Sequence, residues 1–418
     1  MSSSRSLRLA FLLPTFPELS NTFVIEQVVG IIERGHHVDI FAEKQNSLAT
    51  LPASLARLGL DRRMRHLPVA SSRLKRLGSA VRVFTGPRGL HPAHRDALNP
   101  KVYGKRAWNL VQLHTAASFV RSGPYDVLHC HFGQLGIIGE RLIRTGAVDA
   151  ALVTAFRGAD ISSHYPANPQ GFAALFERGD LHLPVSAEFQ RRLVAAGVPG
   201  DRVVVHHDGI DLRRFPFVER RSPDGVARLL FVGRLADKKG VTYALEALSR
   251  LVRSGRKVEL TIIGEGPLGP SLRARSEELG LGQHARFLGP RPLEEVADAM
   301  RTAHVLVAPS VTAPNGDQEG IPTVLKEAMA TGMPVVSTLH SGIPELVEHG
   351  VTGFLAPEHD AERLAEYLAV LLDQPTRWLE MGRKGRAKVE AEFDTERLND
   401  DLVERYHQAL AGRAARMS

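Results

Sequence analysis

Short apolar runs alternate with helical repeats along the whole chain, and they do so twice. In the first half LRLAFLL, HVDIFA, DVLHCHF, ALVTAF, LHLPVS and RVVVHH have the length and β-branched content of buried strands. In the second half RLLFVG, KVELTIIG, ARFLG, HVLVAPS, PVVST and GFLAP read the same way. Between them lie helical patterns such as NTFVIEQVVGIIERG, apolar at Phe23, Val24, Val28, Ile31 and Ile32, and VTYALEALSRLVRSG. Alternation of this kind builds parallel sheets covered by helices, so the expected fold is α/β with two parallel-sheet domains facing across a cleft. The polar stretch FPFVERRSPDGVAR, carrying Pro and Gly, is the expected linker, placing one domain at 1–220 and another at 221–394. The remaining residues, 395–418, begin with TERLNDDLVERYHQALAG, a helix expected to cross back onto the first domain. Open parallel sheets bind ligands outside the carboxyl ends of their strands, which puts the site in the cleft.

Composition narrows the class. The 418 residues exceed what one core organises, and 43% hydrophobic with 24% charged residues is the balance of a soluble globular protein. A single cysteine, Cys130, excludes a disulfide framework and fits a reducing cytoplasm. The N-terminal MSSSRSLRLAFLLPTF is read as a first buried strand rather than a signal peptide, because Arg8 interrupts the apolar run and Pro14 follows it. No run of 18 apolar residues is present to span a bilayer.

The net charge of +7 is concentrated. From Arg62 to Arg106 twelve Lys and Arg oppose one acid, Asp96, a segment charge of +11 that leaves the rest of the chain acidic. Few aromatics are interleaved with these cations, which argues against nucleic acid as a partner and for an anionic membrane surface. Within the segment SSRLKRLGSAVRVF has the mixed basic and apolar character of a helix that lies flat on lipid. The expected location is cytoplasmic, peripheral at the inner face of the cell membrane.

The most informative chemistry is in DQEGIPTVLKEAMATGMPVVST. Glu319 and Glu327 stand eight positions apart, about 80° around a helix and ~12 Å along it, so one precedes the first turn and the other points inward further on. Between them Gly320, Ile321 and Pro322 form a helix entrance whose backbone N–H groups and positive dipole end attract an anion, with Pro322 expected at the first helical position. An anion cradle flanked by two carboxylates suits a ligand with both a diphosphate and hydroxyl-rich rings, a nucleotide-sugar. Alone, two glutamates at this spacing also arise by chance.

Other loops add to this picture. In FVGRLADKKG, Arg234 and Lys239 follow a strand end five residues apart and can reach one diphosphate, although solvated surface cations are the ordinary fate of such residues. TIIGEGPLG carries Gly264, Gly266 and Gly269 in a G-x-G-x-x-G pattern, but the acidic ribose reader of a dinucleotide fold is missing after the next strand, ARFLGP. In DVLHCHFG strand alternation puts His129 and His131 on one face and Cys130 on the other, which argues against a shared metal. A structural histidine at a strand end is the default; the alternative is a histidine at the carboxyl edge that bonds a sugar hydroxyl, and His131, the later and by expectation the more exposed of the two, is the candidate. Ser20, Asn21 and Thr22 either cap the first helix or face an acceptor, and Arg157 with Asp160 forms either a simple ion-paired turn or an acceptor contact.

Taken together, VGRLADKKG, the Gly-Glu-Gly-Pro turn, ARFLG, EGIPTVLKEAMATGMPVVST and SGIPELVEHGVTGFLAP resemble the C-terminal domain of the GT4 family of retaining glycosyltransferases with the GT-B fold, two Rossmann-like domains. PTFPELSNTFV, DVLHCHFG, TAFRGADIS and HHDGIDLRRF extend the resemblance over nearly the whole chain, and PSVTAPNGDQEGIP looks most like its colanic-acid and amylovoran exopolysaccharide branch. The resemblance implies that Arg234 and Lys239 hold the donor diphosphate, that Glu319 contacts the donor sugar and Glu327 the ribose hydroxyls, and that Gly320–Pro322 binds phosphate or sugar. It also places Leu288 at the base-contacting main chain and His131 near the transferred sugar, and implies retention at the anomeric carbon. No D-x-D metal motif is present and no cofactor or metal is expected. The acceptor side departs from the family pattern. PELSNTF replaces a glycine-rich loop, Asn21 stands where the branch tends to have an acid, Arg157 where His is frequent, and Asp208 where Asn is frequent. The expected acceptor is a glycan, carried on polyprenyl diphosphate. The alternatives are a GT-B synthase of a small glycoside or glycogen-like polymer, and a silent sugar-nucleotide-binding assembly factor; a nucleotide-dependent oxidoreductase ranks below both.

Overall fold

The computed structural model describes residues 5–18, 22–48, 58–66, 73–86 and 91–418. Among the described residues, twelve strands form two parallel sheets of six. The first contains β1 (Arg8–Phe16), β2 (His37–Gln45), β3 (Met64–His66), β4 (Val127–His131), β5 (Ala151–Phe156) and β6 (Leu181–Pro184). The second contains β7 (Ala227–Val232), β8 (Val258–Ile263), β9 (Ala285–Gly289), β10 (Val305–Ala308), β11 (Val335–Thr338) and β12 (Gly353–Ala356). Their orders, β3-β2-β1-β4-β5-β6 and β12-β11-β10-β7-β8-β9, follow one rule: the first strand lies at the centre and the chain reverses direction beside it. This is the doubly wound arrangement, and the reversal opens a crevice at the carboxyl ends of the central strands.

All six expected strands of the second half are present, as are the helices Thr22–Glu33 and Val241–Arg253. The strongly apolar faces of β4, β5, β10 and β11 are buried along their full length, as strands covered on both sides by helices must be. Two differences fall in the first half. RVVVHH is not a seventh strand. It runs beside β6, its Val204 and His206 N–H groups donating to the His182 and Pro184 carbonyls, but the pairing amounts to a single bridge, His182 with Val203. β3 was not expected, being only three residues long within the basic segment.

The final helix, Thr395–Met417, crosses back to the first sheet. The chain leaves the second half through a bridge between Ile210 and Asp394, and Leu402, Tyr406 and Ala409 then pack with Leu9, Phe11 and Val28 in one apolar cluster. Polar contacts fix its register. Arg34 bonds Asp400 at 2.6 Å and Glu396 at 3.2 Å, and the Tyr406 hydroxyl lies 2.7 Å from His129 Nδ1.

The basic segment contains the helix Arg73–Thr85. Its apolar residues are divided: Ala80 and Val83 are buried in the first core, whereas Leu77 and Val81, one turn apart, are exposed. The expected amphipathic helix therefore uses part of its apolar content to hold itself to the domain.

A candidate active site in the interdomain cleft

A cavity of about 1330 Å³ lies between the carboxyl ends of the two sheets and is lined from both halves. One wall comes from the helix Thr22–Glu33, the turn after β5 and the start of the helix Gly133–Arg144. The opposite wall comes from the turn after β7 and from Glu319–Val324 with Glu327. The volume exceeds the range of most small-ligand pockets, so there is room for two substrates.

The helix after β10 runs Thr323–Ala330, and Pro322 occupies its N-cap, with φ −57° and ψ 127°, rather than the first helical position expected. Glu319 precedes it in the loop and Glu327 is buried in its second turn. Lys239 Nζ lies 3.2 Å from Glu319 Oε2 and Lys238 Nζ 3.4 Å from Glu319 Oε1. Lys238 also pairs with Asp317 at 3.1 Å. Burial works against the Glu319 charge, but Lys239 and Lys238 more than offset it and hold the carboxyl below its usual range. Glu327 shows the opposite balance: burial prevails over Lys326, Arg214 and Lys239 and pushes it up to about 7. Arg234 lies exposed on the cavity wall, and no acidic partner engages it among the described residues.

Gly320 is required by close packing between the halves. A Cβ there would lie 2.5 Å from Val185 Cγ2 and 3.0 Å from the Arg157 carbonyl oxygen, both in the first half. The contact is reinforced on either side. Ser162 Oγ accepts from the Gln318 N–H at 3.1 Å, and the Glu345 carboxylate accepts from Ala187 and Glu188 N–H groups at the start of the helix Ala187–Ala195.

Several expected site residues are placed differently. Gly264 and Gly266 are outside the cavity lining; Cβ atoms there would collide with the Gly233 and Leu235 carbonyls. Their absent side chains let the turn after β8 back the loop that carries Arg234. Leu288, 37% exposed on β9, is also outside the lining. His131 is not the more exposed histidine: it is fully buried, stacked on His129 with ring centroids 4.4 Å apart and packed against Phe11. The reason is that β4 is a central strand, buried along its full length.

Arg157 and Asp160 do not pair with one another through their side chains. The buried Asp160 carboxylate accepts N–H groups of Arg157, Gly158, Ile161 and Gly133, joining the turns after β4 and β5. Arg157 instead donates from Nε to Asp208 at 3.0 and 3.2 Å and stacks over Phe23 at 4.7 Å. The two positions that depart from the family pattern thus complete each other, and Lys326 ties the pair to the second half by donating to the Asp208 carbonyl at 2.7 Å. Thr22 lines the cavity; Ser20 and Asn21 lie outside the described residues.

Sequence reasoning missed Lys238, Glu26, Arg106 and Arg214, all on the cavity wall. The signal for Lys238 was its place beside Lys239 in the same loop. Glu26 interrupts the apolar face of the first helix, and that polar intrusion was its signal; burial pushes it up to about 8, against the opposing Arg214 and reinforced by Asp211 and Glu327. Arg106 forks onto Glu43, a contact across 63 residues that spacing does not suggest.

Comparison with known proteins agrees with this architecture. Residues 214–388 match the model for glycosyl transferases group 1, and residues 20–214 that for glycosyltransferase family 4. WcaL of Escherichia coli (strain K12), provisionally assigned as a colanic acid biosynthesis glycosyltransferase, is 36% identical over 95% of this chain and 98% of its own. The amylovoran biosynthesis glycosyltransferase AmsK of Erwinia amylovora is 34% identical over 93% of this chain and 96% of its own. Among solved structures, sucrose-phosphate synthase from Thermosynechococcus elongatus superposes with a TM-score of 0.73 at 21% identity, covering 97% of this chain and 99% of its own. Anabaena HepE in complex with UDP superposes with a TM-score of 0.70 at 19% identity, covering 95% and 99%. Two parallel six-stranded sheets meeting at a cleft are the GT-B fold, and this chain belongs to the family 4 glycosyltransferases.

Proposed function

We propose that the protein transfers a sugar from a nucleoside-diphosphate donor to a glycan acceptor carried on polyprenyl diphosphate, in the assembly of an exopolysaccharide. The observation that carries this reading is the pairing of Lys238 and Lys239 with Glu319, which precedes the helix Thr323–Ala330, in a cavity that Arg234 also lines. A departing nucleoside diphosphate gains negative charge as the glycosidic carbon becomes oxocarbenium-like. Fixed cations and a helix N-terminus stabilise that charge without reorganising, so transfer proceeds without a metal ion, with Glu319 at the sugar and Glu327 at the ribose. Retention at the anomeric carbon is part of this proposal, supported by the resemblance of the sequence motifs to retaining enzymes. The named roles of WcaL and AmsK support an exopolysaccharide product, and UDP bound to HepE supports a nucleotide donor.

No helix among the described residues is long and apolar enough to cross a membrane. In this reading the protein reaches its lipid-linked acceptor by docking the basic segment on the anionic inner face of the cell membrane. Exposed Leu77 and Val81 support this, together with Trp108, 78% exposed.

The test is release of nucleoside diphosphate from a panel of uridine and guanosine diphosphate sugars, with and without EDTA, followed by transfer to polyprenyl-diphosphate glycans. Product formation in EDTA with the donor's anomeric configuration, read from the anomeric proton by NMR, is the expected result. An inverted product, or dependence on added metal, would refute the corresponding part.

A further inference from the structure

The loop that carries Glu319 joins β10 to the helix Thr323–Ala330, and two residues from other loops hold it. His340, just after β11, is fully buried. Its Nε2 accepts the Glu319 backbone N–H at 3.0 Å, so the ring proton is on Nδ1, which lies 2.6 Å from Glu358 Oε1. Glu358, just after β12, accepts the Thr312 N–H with its other oxygen at 2.7 Å. The loop is closed on itself by Gln318 Nε2, which donates to Thr312 Oγ1 at 2.8 Å. One carboxylate therefore anchors the loop at Thr312 directly and at Glu319 through the imidazole.

We infer that Glu358 and His340 are positioning residues for the donor sugar: they fix the Glu319 backbone so that its carboxylate meets the ligand between Lys238 and Lys239. The inference rests on the reading of the cleft as a nucleotide-sugar site. It goes beyond that reading by assigning a role to two residues outside the cavity lining. The chemistry requires a neutral imidazole of one tautomer. Glu358 selects it, as carboxylates orient the histidines of other sites through the remote nitrogen. Burial opposes the Glu358 charge, but the Thr312 N–H and His340 offset this and hold the carboxyl below its usual range.

The experiment is a double-mutant cycle on the intact protein, using whichever uridine or guanosine diphosphate sugar the wild type hydrolyses. His340→Leu should lower kcat/KM for the donor about tenfold, whereas His340→Gln, whose amide oxygen reaches the Nε2 position, should stay within about threefold of wild type. Combined with Glu319→Ala, His340→Leu should cost no more than about threefold further, because its effect passes through Glu319. Amide exchange at Glu319 should quicken in His340→Leu and not in His340→Gln. Should His340→Leu fail to fold, Glu358→Ala carries the same comparison. A full tenfold cost persisting in the Glu319→Ala background, a Gln variant as poor as Leu, or wild-type turnover in His340→Leu would each overturn the inference alone. Wild-type protein that releases diphosphate from no donor in the panel would overturn the functional reading and this inference with it.

Discussion

The Lys239 ammonium stands 3.2 Å from the Glu319 carboxylate, and this pair joins the loop after β7 to the loop after β10 across the floor of the cleft. Each residue holds the other where a donor would meet both. A charge-assisted hydrogen bond contributes about 1.5–3 kcal/mol, so Lys239→Ala, Arg234→Ala and Glu319→Ala are each expected to lower kcat/KM at least about tenfold. Glu327→Ala should chiefly raise the KM for the donor. Steady-state kinetics with varied donor checks this, and wild-type turnover in Lys239→Ala or Arg234→Ala would remove the diphosphate assignment.

Glu327 sets a pH dependence of stability. Its carboxyl is raised from about 4.5 to about 7 by burial, so between these values the folded protein keeps a proton that the unfolded chain has released. Stability from this group is present below the lower value and is lost as pH rises through the higher one. Glu327→Gln should therefore raise the unfolding temperature at pH 8 by at least about 2 °C and have little effect at pH 4. Equal shifts at both pH values would refute the burial account.

Gly320 is the point of closest approach between the halves. Gly320→Ala should press on Val185 and the Arg157 carbonyl, displacing the helix entrance. A displacement near 1 Å at a reacting centre costs on the order of a hundredfold. The expected outcome is that loss in kcat/KM with an increased radius of gyration by small-angle scattering; an active, equally compact variant would contradict it.

Glu345 caps a helix that belongs to the other half, with Ala187 N–H at 2.9 Å and Glu188 N–H at 3.2 Å. Glu345→Ala should cost about 1 kcal/mol, the usual magnitude for a lost cap. Denaturant unfolding measures the cost. Retained stability would show that the halves hold together without it.

Membrane docking predicts co-sedimentation with vesicles that contain anionic lipid, weakening with added salt. At about 1 kcal/mol per cation near the surface, four of the twelve basic residues would favour association by about 4 kcal/mol, roughly a thousandfold. Charge removal at Arg73, Lys75 and Arg76, or Leu77→Ser with Val81→Ser, should reduce binding. Equal binding to neutral vesicles would leave the segment without this role.

The sequence by itself determined the two parallel sheets, the returning helix and the charged residues that line the second half's wall of the cleft. These rest on local signals: apolar runs of strand length, helical repeats between them, and cations or carboxylates in the loops and first turns that follow the strands. Arg234, Lys239 and Glu319 were legible because each lies in a loop between a strand and a helix, and Glu327 because of its spacing from Glu319 on the helix that follows. Only the tertiary structure decided the burial of His131, the pairing of Arg157 with Asp208 rather than Asp160, and the relay from Glu358 through His340 to Glu319. The last two join loops from different strands, and the order of strands in a sheet, not their spacing in the chain, sets which loop ends meet. Likewise the raised carboxyls of Glu26 and Glu327 follow from burial, which the packing of the chain around them decides.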